Sequence, residues 1–188
     1  GGTFQFGNAL TPTGTVFNIS SDVVLNKVIS FPNADLKLIN DVTIVQWILD
    51  SNTSIDLNGK AIKLAATAPN TYNIPLDNGA GALIPVTINL TSGLNGFIEV
   101  KTFGSKHPSN QNSARFLNRY WSITTPGISS PSYTVDAVFA PIDLFNNPTH
   151  LVPASYQSAS WTKIDGANIS GNTITFSSTS TSLEFTAL

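Results

Sequence analysis

Apolar residues recur in this chain at every second position or in short β-branched bursts, and no segment sustains the three-to-four spacing of an amphipathic helix. The alternation is plainest in Thr3-Phe4-Gln5-Phe6, Ser54-Ile55-Asp56-Leu57, Val86-Thr87-Ile88-Asn89-Leu90 and Thr173-Ile174-Thr175-Phe176. Successive side chains of a strand point to opposite faces, so each run has a wet side and a dry side. Thirteen Gly and eleven Pro cut the chain between these runs. The stretch Asp41–Asp50 is long enough for a short helix, but Val, Thr and Ile dominate it and lose rotamer freedom in a helix. It reads as a strand buried on both faces, and the predicted fold is all-β.

Two textures divide the chain. Residues 15–64 carry short apolar runs every five to ten residues, with Asn, Asp or Gly between them. That rhythm predicts either the rungs of a small solenoid or a meander of short strands. From Thr71 the runs lengthen and become Pro-bounded, the spacing of an antiparallel β-sandwich. The expected division is a short-strand, solenoid-like or meander region over 1–66 and a sandwich module over 67–188, packed on one another across a seam at Ala65–Asn70. The strongest local turn is Asn58-Gly59, whose type I′ chemistry would set Ile55 across from Ile62; both turn residues are assigned a structural role.

Composition narrows the function. Charged residues are 11% of the chain, against about 25% in an ordinary soluble domain. Ser, Thr and Asn supply 61 of the 188 residues instead, a hydroxyl-and-amide skin suited to water or to a glycan. Seven Lys and two Arg, scattered, cannot neutralise a row of phosphates, so no nucleic-acid partner is expected. The absence of Cys excludes disulfides, thiolate nucleophiles and iron–sulfur clusters. No apolar run reaches the ~18 residues of a helical membrane span, and no membrane insertion is expected.

No catalytic motif emerges. Trp47, Trp121 and Trp161 each sit in an apolar strand pattern and read as structural core aromatics, not as a sugar-stacking platform. Arg119 shares a strand face with Leu117, Trp121 and Ile123; it reads as structural, its stem on an indole and its head met by an Asp or a backbone carbonyl. Tyr72, Tyr133 and Tyr156 stand beside Asn and Ser and are the candidates for exposed binding aromatics. Glu99 and Glu184, the only glutamates, have nothing in the sequence to pair them as glycosidase carboxylates. His107 and His150 lack a His-x-x-x-His companion. Calcium could draw on Asp56-x-Asn58-Gly59 or Asp77-Asn78-Gly79, but neither completes a D-x-[DN]-x-[DN]-G loop, so no metal or cofactor is expected.

The order of blocks in the second half carries a resemblance. Thr71-Tyr72-Asn73-Ile74-Pro75-Leu76-Asp77-Asn78-Gly79 leads through Pro85-Val86-Thr87-Ile88 to Gly96-Phe97-Ile98-Glu99-Val100. Leu117-Asn118-Arg119-Tyr120-Trp121-Ser122-Ile123 follows, then Trp161-Thr162-Lys163-Ile164 and a closing Leu183-Glu184-Phe185-Thr186. Over roughly residues 50–188 this succession resembles the adhesin-like β-sandwich modules near the C-termini of large Bacteroidota surface proteins exported by type IX secretion. The segment Ile55–Leu64 is similar to the Leu-Asn-Gly-x-x-Leu-x-Leu rungs that lead into such modules. Two features depart from the pattern: no sorting domain follows Leu188, as in an excised fragment, and Asp77–Pro85 lacks the aromatic placed before the proline.

The resemblance implies a cell-surface structural or adhesive role and no catalytic residues. The expected function is therefore a non-catalytic structural or adhesive module of an extracellular cell-surface protein. Its expected partners are neighbouring modules of the same protein and a glycan, host or substratum surface. A carbohydrate-binding module is the first rival. The second is a filament subunit whose Thr3–Phe6 completes a neighbour's sheet.

Overall fold

In the computed structural model, which describes residues 2–146, 148 and 150–188, each of the four alternating runs contains a strand. The first half supplies β1 (Thr3–Phe6), β2 (Thr15–Ile19), β3 (Leu25–Ser30), β4 (Ala34–Leu38), β5 (Val42–Ile48), β6 (Ile55–Asp56), β7 (Ile62–Ala66), β8 (Asn70–Ile74) and β9 (Leu76–Asp77). The chain passes back and forth between two parallel sheets, β1-β3-β5-β7 on one side and β2-β4-β6-β9 on the other. This is a solenoid of stacked coils. Only β8 leaves it, to join the second half.

The coil has a period that the spacing of the apolar runs conceals. Register partners lie 19 residues apart at Thr15/Ala34, Leu36/Ile55 and Leu25/Ile44, 20 apart at Val42/Ile62 and 21 apart at Ile55/Leu76. The first coil is longer, with Thr3 opposite Lys27. Each period contains two strands and two corners, so the five-to-ten-residue rhythm counts half-coils. Stacking then places like on like: Leu36, Ile55 and Leu76 form one buried row, and Leu25, Ile44 and Leu64 another.

The second half supplies β10 (Val86–Ser92), β11 (Gly96–Phe103), β12 (Phe116–Leu117), β13 (Tyr120–Thr124), β14 (Ser132–Val138) and β15 (Leu144–Phe145). It closes with β16 (Pro153–Gln157), β17 (Ser160–Lys163), β18 (Asn168–Ser170), β19 (Thr173–Ser178) and β20 (Ser182–Ala187). A five-stranded sheet, β18-β19-β14-β10-β8, packs against the antiparallel strands β11-β13-β20-β16-β17, with Phe176 of β19 edge-on to Phe185 of β20 at 4.8 Å. The solenoid and the sandwich share one sheet, because β11 pairs directly with β7 to give nine strands in a row. Val42, Ile62, Val100, Ile123 and Leu183 are register partners across five of these strands, and all five are buried. Each such side chain contributes about 1.5–3 kcal/mol relative to exposure.

Two expectations need correction. Asn58 and Gly59 do have the positive φ of a type I′ turn, +50° and +73°, and Lys60 N–H donates to Leu57 O at 2.7 Å. Yet Ile55 does not face Ile62 across a hairpin. Ile55 pairs with Leu36 and Leu76 in one sheet, and Ile62 with Val42 and Val100 in the other. The turn is a solenoid corner, and Asn58 Nδ2 ties it to the coil below by donating to Leu38 O at 3.2 Å. The second correction concerns β5. Val42 and Ile44 are buried, but Val45 and Ile48 are 45% and 48% exposed, because the strand outruns its neighbour on one side.

Candidate binding groove at the solenoid–sandwich junction

The parting of β5 and β7 opens a concavity at the junction of solenoid and sandwich. The two strands pair through Val42/Ile62, Thr43/Lys63 and Ile44/Leu64 and then separate. Beyond that point Val45–Ile48 continues beside β3 alone, while Ala65 and Ala66 pair with Phe97 and Gly96 of β11. The chain then turns into β8, which is an edge strand of the sandwich. A groove of about 800 Å³ opens between the end of β5 and the start of β8, within the ~300–1,000 Å³ of small-ligand sites.

Its chemistry is uncharged. One wall carries Val45, Gln46, Trp47 and Ile48 of β5 with Leu49 just after it; the opposite wall carries Asn70, Thr71, Tyr72 and Asn73; Leu64–Thr67, Asn95 and Gly96 complete the lining. Trp47 of β5 and Tyr72 of β8 both line the groove, each half-buried and packed against the core. The Tyr72 hydroxyl is held by Thr67 in both senses, accepting from its N–H at 2.8 Å and donating to its carbonyl at 3.1 Å. Asn73 Oδ1 accepts from the Thr87 hydroxyl at 3.0 Å, and Asn70 Oδ1 from Thr71 N–H at 2.9 Å.

The other aromatic candidates lie elsewhere. Tyr133, expected at the surface, is enclosed: it alternates in phase with Val135 and Ala137, which face the sandwich interior, and its hydroxyl donates to Ser180 O at 2.8 Å. Burial raises its phenol pKa, partly offset by a hydrogen bond from the Ser178 side chain. Trp121 is fully enclosed and stacks on Phe185 at 5.2 Å. Tyr156 and Trp161, both half-buried and 5.0 Å apart on the β16–β17 hairpin, form a box with Tyr120 around the buried His107 ring. His107 Nε2 meets Glu184 Oε2 at 3.1 Å, while its Nδ1 accepts from Ser109 N–H at 3.1 Å. Trp161 Nε1 donates to Ser109 O at 3.1 Å. This box fixes the 104–115 segment at His107 and Ser109 onto the large sheet.

Arg119 is met by an Asp. Its Nε and Nη2 donate to the two carboxylate oxygens of Asp143 at 2.7 and 3.1 Å, and Nη1 donates to Thr102 Oγ1 at 3.1 Å. Both partners are buried, and Asp143 Oδ2 also accepts from Ala140 N–H at 2.8 Å.

None of the carboxylates lines the groove. Glu99 and Glu184 share the outer face of the large sheet with β13 between them and a two-residue offset, about 12 Å apart by strand geometry. Glycosidase pairs stand ~5–10 Å apart. Asp56 accepts from Asn58 N–H at 2.7 Å and pairs with Lys37 at 3.3 Å; Asp77 accepts from Gly79 N–H and from the Ser54 hydroxyl, both at 2.6 Å. Among the described residues no group of three or more His, Asp or Glu side chains is arranged to hold a metal ion, and no helix is long and apolar enough to cross a membrane.

The groove has only a weak signature in the sequence. Trp47 lies in an apolar run that reads as core, and nothing local announces that β7 will turn away from β5. No known family, curated protein or solved structure matches this chain.

Proposed function

We propose that this chain is a non-catalytic structural and adhesive module of an extracellular cell-surface protein, of the kind exported by type IX secretion. One observation carries the reading: the solenoid and the sandwich share a nine-stranded sheet, with a buried apolar row from Val42 to Leu183 crossing the junction. Such a joint transmits load between a rod-like region and a compact module without a hinge. The weakly charged Ser/Thr/Asn surface keeps the module soluble and suits broad polar contacts. Neighbouring modules of the same protein and a glycan or substratum surface are the partners this reading supplies.

The filament reading meets a specific cost. Thr3–Phe6 is already paired in parallel with Lys27–Ser30 of its own chain, so donating it to a neighbour requires breaking β1 from β3.

The test is labelling of intact cells of the source organism with an antibody raised against the chain. Surface labelling before lysis is the expected result; label that appears only after lysis overturns the proposal. Glycan hydrolysis by the purified chain that disappears in Glu99→Gln would replace it with an enzyme.

A further inference from the structure

We infer that the groove between β5 and β8 is a binding site for a neutral oligosaccharide. The inference rests on the adhesive reading and gives it a ligand.

Three features select that chemistry. None of the residues lining the groove carries a charge, which removes the cations that a phosphate or an acidic polysaccharide requires. Two rings flank the space from different strands, Trp47 from β5 and Tyr72 from β8, and among the described residues neither is paired with another aromatic ring. Fixing the Tyr72 hydroxyl on Thr67 holds the ring in place and leaves it to act through its face. The part of each half-buried ring that lines the groove matches the C–H face of a pyranose and loses little conformational entropy on binding.

Amides supply the rest. Gln46 and Asn95 line the groove with side-chain amides that make no hydrogen bond among the described residues, and Asn70 and Asn73 keep their Nδ2 donors after their oxygens are engaged. A carboxamide presents a donor and an acceptor side by side, the pattern that neighbouring sugar hydroxyls complement. Exposed amides without protein partners are hydrated, and a glycan can take the place of that water. An extended peptide is the competing occupant, since residues 45–48 have no strand partner on the groove side. A peptide strand would bind through main-chain groups and leave four side-chain amides and two ring faces idle, so the sugar accounts for more of the lining.

The experiment titrates the whole chain with neutral hexaoses (cello-, laminari-, xylo-, manno- and malto-hexaose) by calorimetry and tryptophan fluorescence. Heparin, polygalacturonate and a mixed hexapeptide library form parallel arms. At least one neutral hexaose is expected to bind at millimolar concentration or below and to shift the emission. Trp47→Ala should weaken it by about tenfold or more. Gln46→Ala and Asn95→Ala, at exposed positions that leave the fold intact, should each weaken it by about threefold to tenfold. No binding by any hexaose, binding that survives all three substitutions, or binding of the acidic polymers or peptides in place of the hexaoses overturns the inference. Intact-cell labelling does not depend on Trp47. A surface-exposed chain that ignores every hexaose therefore sinks this inference alone, and a chain that binds sugar but is labelled only after lysis sinks the surface reading alone.

Discussion

Arg119 and Asp143, 24 residues apart, lock together in a fork of two hydrogen bonds at 2.7 and 3.1 Å inside the protein, both side chains nearly out of water. Such a pair holds the connection between β14 and β15 against the start of β13, since Asn118 N–H also donates to Asp143 O at 2.6 Å and Thr186 Oγ1 to Arg119 O at 2.6 Å. Removing one partner leaves a buried charge unmatched, which costs more than the pair itself contributes. Arg119→Met should destabilise the chain by about 3–5 kcal/mol, lowering Tm by roughly 10 °C for a domain this size. Arg119→Met with Asp143→Leu should recover part of that loss. Urea denaturation of both variants checks it; a double variant less stable than the single would show that the charges do not govern the site.

The His107 box makes a kinetic prediction. Its contacts with Tyr120, Tyr156, Trp161 and Glu184 help hold the 104–115 segment, which contains Lys106 and Arg115, to the sheet. His107→Ala removes the centre of the box and should raise the open fraction of the loop. Tryptic cleavage after Lys106 and Arg115 should accelerate about tenfold, the effect of some 1.4 kcal/mol on a fast opening equilibrium. Global stability should fall less, and an unchanged digestion rate would place the loop's anchor elsewhere.

Much of the strand content is legible in the sequence because β-branching and alternation are local signals. Val42–Ile48 is the clear case: side-chain rotamer restriction alone separates it from a helix. The pairing is not local. Asn58-Gly59 states which φ values the backbone takes but not where the next strand goes, so the same turn serves a hairpin or a solenoid corner. Tyr133 had a usable signal, its phase with Val135 and Ala137, which outweighs its Ser and Pro neighbours. Arg119 on an apolar face signals a buried partner, but nothing near it names Asp143. The groove is least legible of all, since it exists only because β7 follows β11 away from β5 after Leu64.

Two glycines near these features separate torsional from steric cost. Gly59 has φ of +73°, and a Cβ there would meet nothing within 4 Å. Gly59→Ala should therefore cost only the left-handed penalty, about 1 kcal/mol. Gly96, beside the groove, has an ordinary φ, but its Cβ would stand 2.7 Å from Ile128 N and Pro126 O, both backbone atoms that cannot swing away. Gly96→Ala should cost about 3 kcal/mol or more. Equal costs in thermal or urea unfolding would contradict this division.

Tyr133 sets an alkaline limit on stability. Burial raises its folded pKa above 10.0, whereas the unfolded chain ionises near 10. The unfolded state therefore loses its proton first. The stability tied to the neutral phenol is complete below about pH 10 and drains away as pH climbs through the raised folded value. Tyr120, raised by burial and then by the nearby Glu184 carboxylate, adds a slope of the same sign. Tyr133→Phe should lose about 1 kcal/mol at pH 7, because Ser180 O gives up its donor. Its stability should then fall less steeply than the parent's above pH 10, with Tyr120 titrating equally in both. Urea midpoints from pH 7 to 11 test this: the two curves should converge as pH rises, and parallel curves would mean that the Tyr133 phenol is not what titrates.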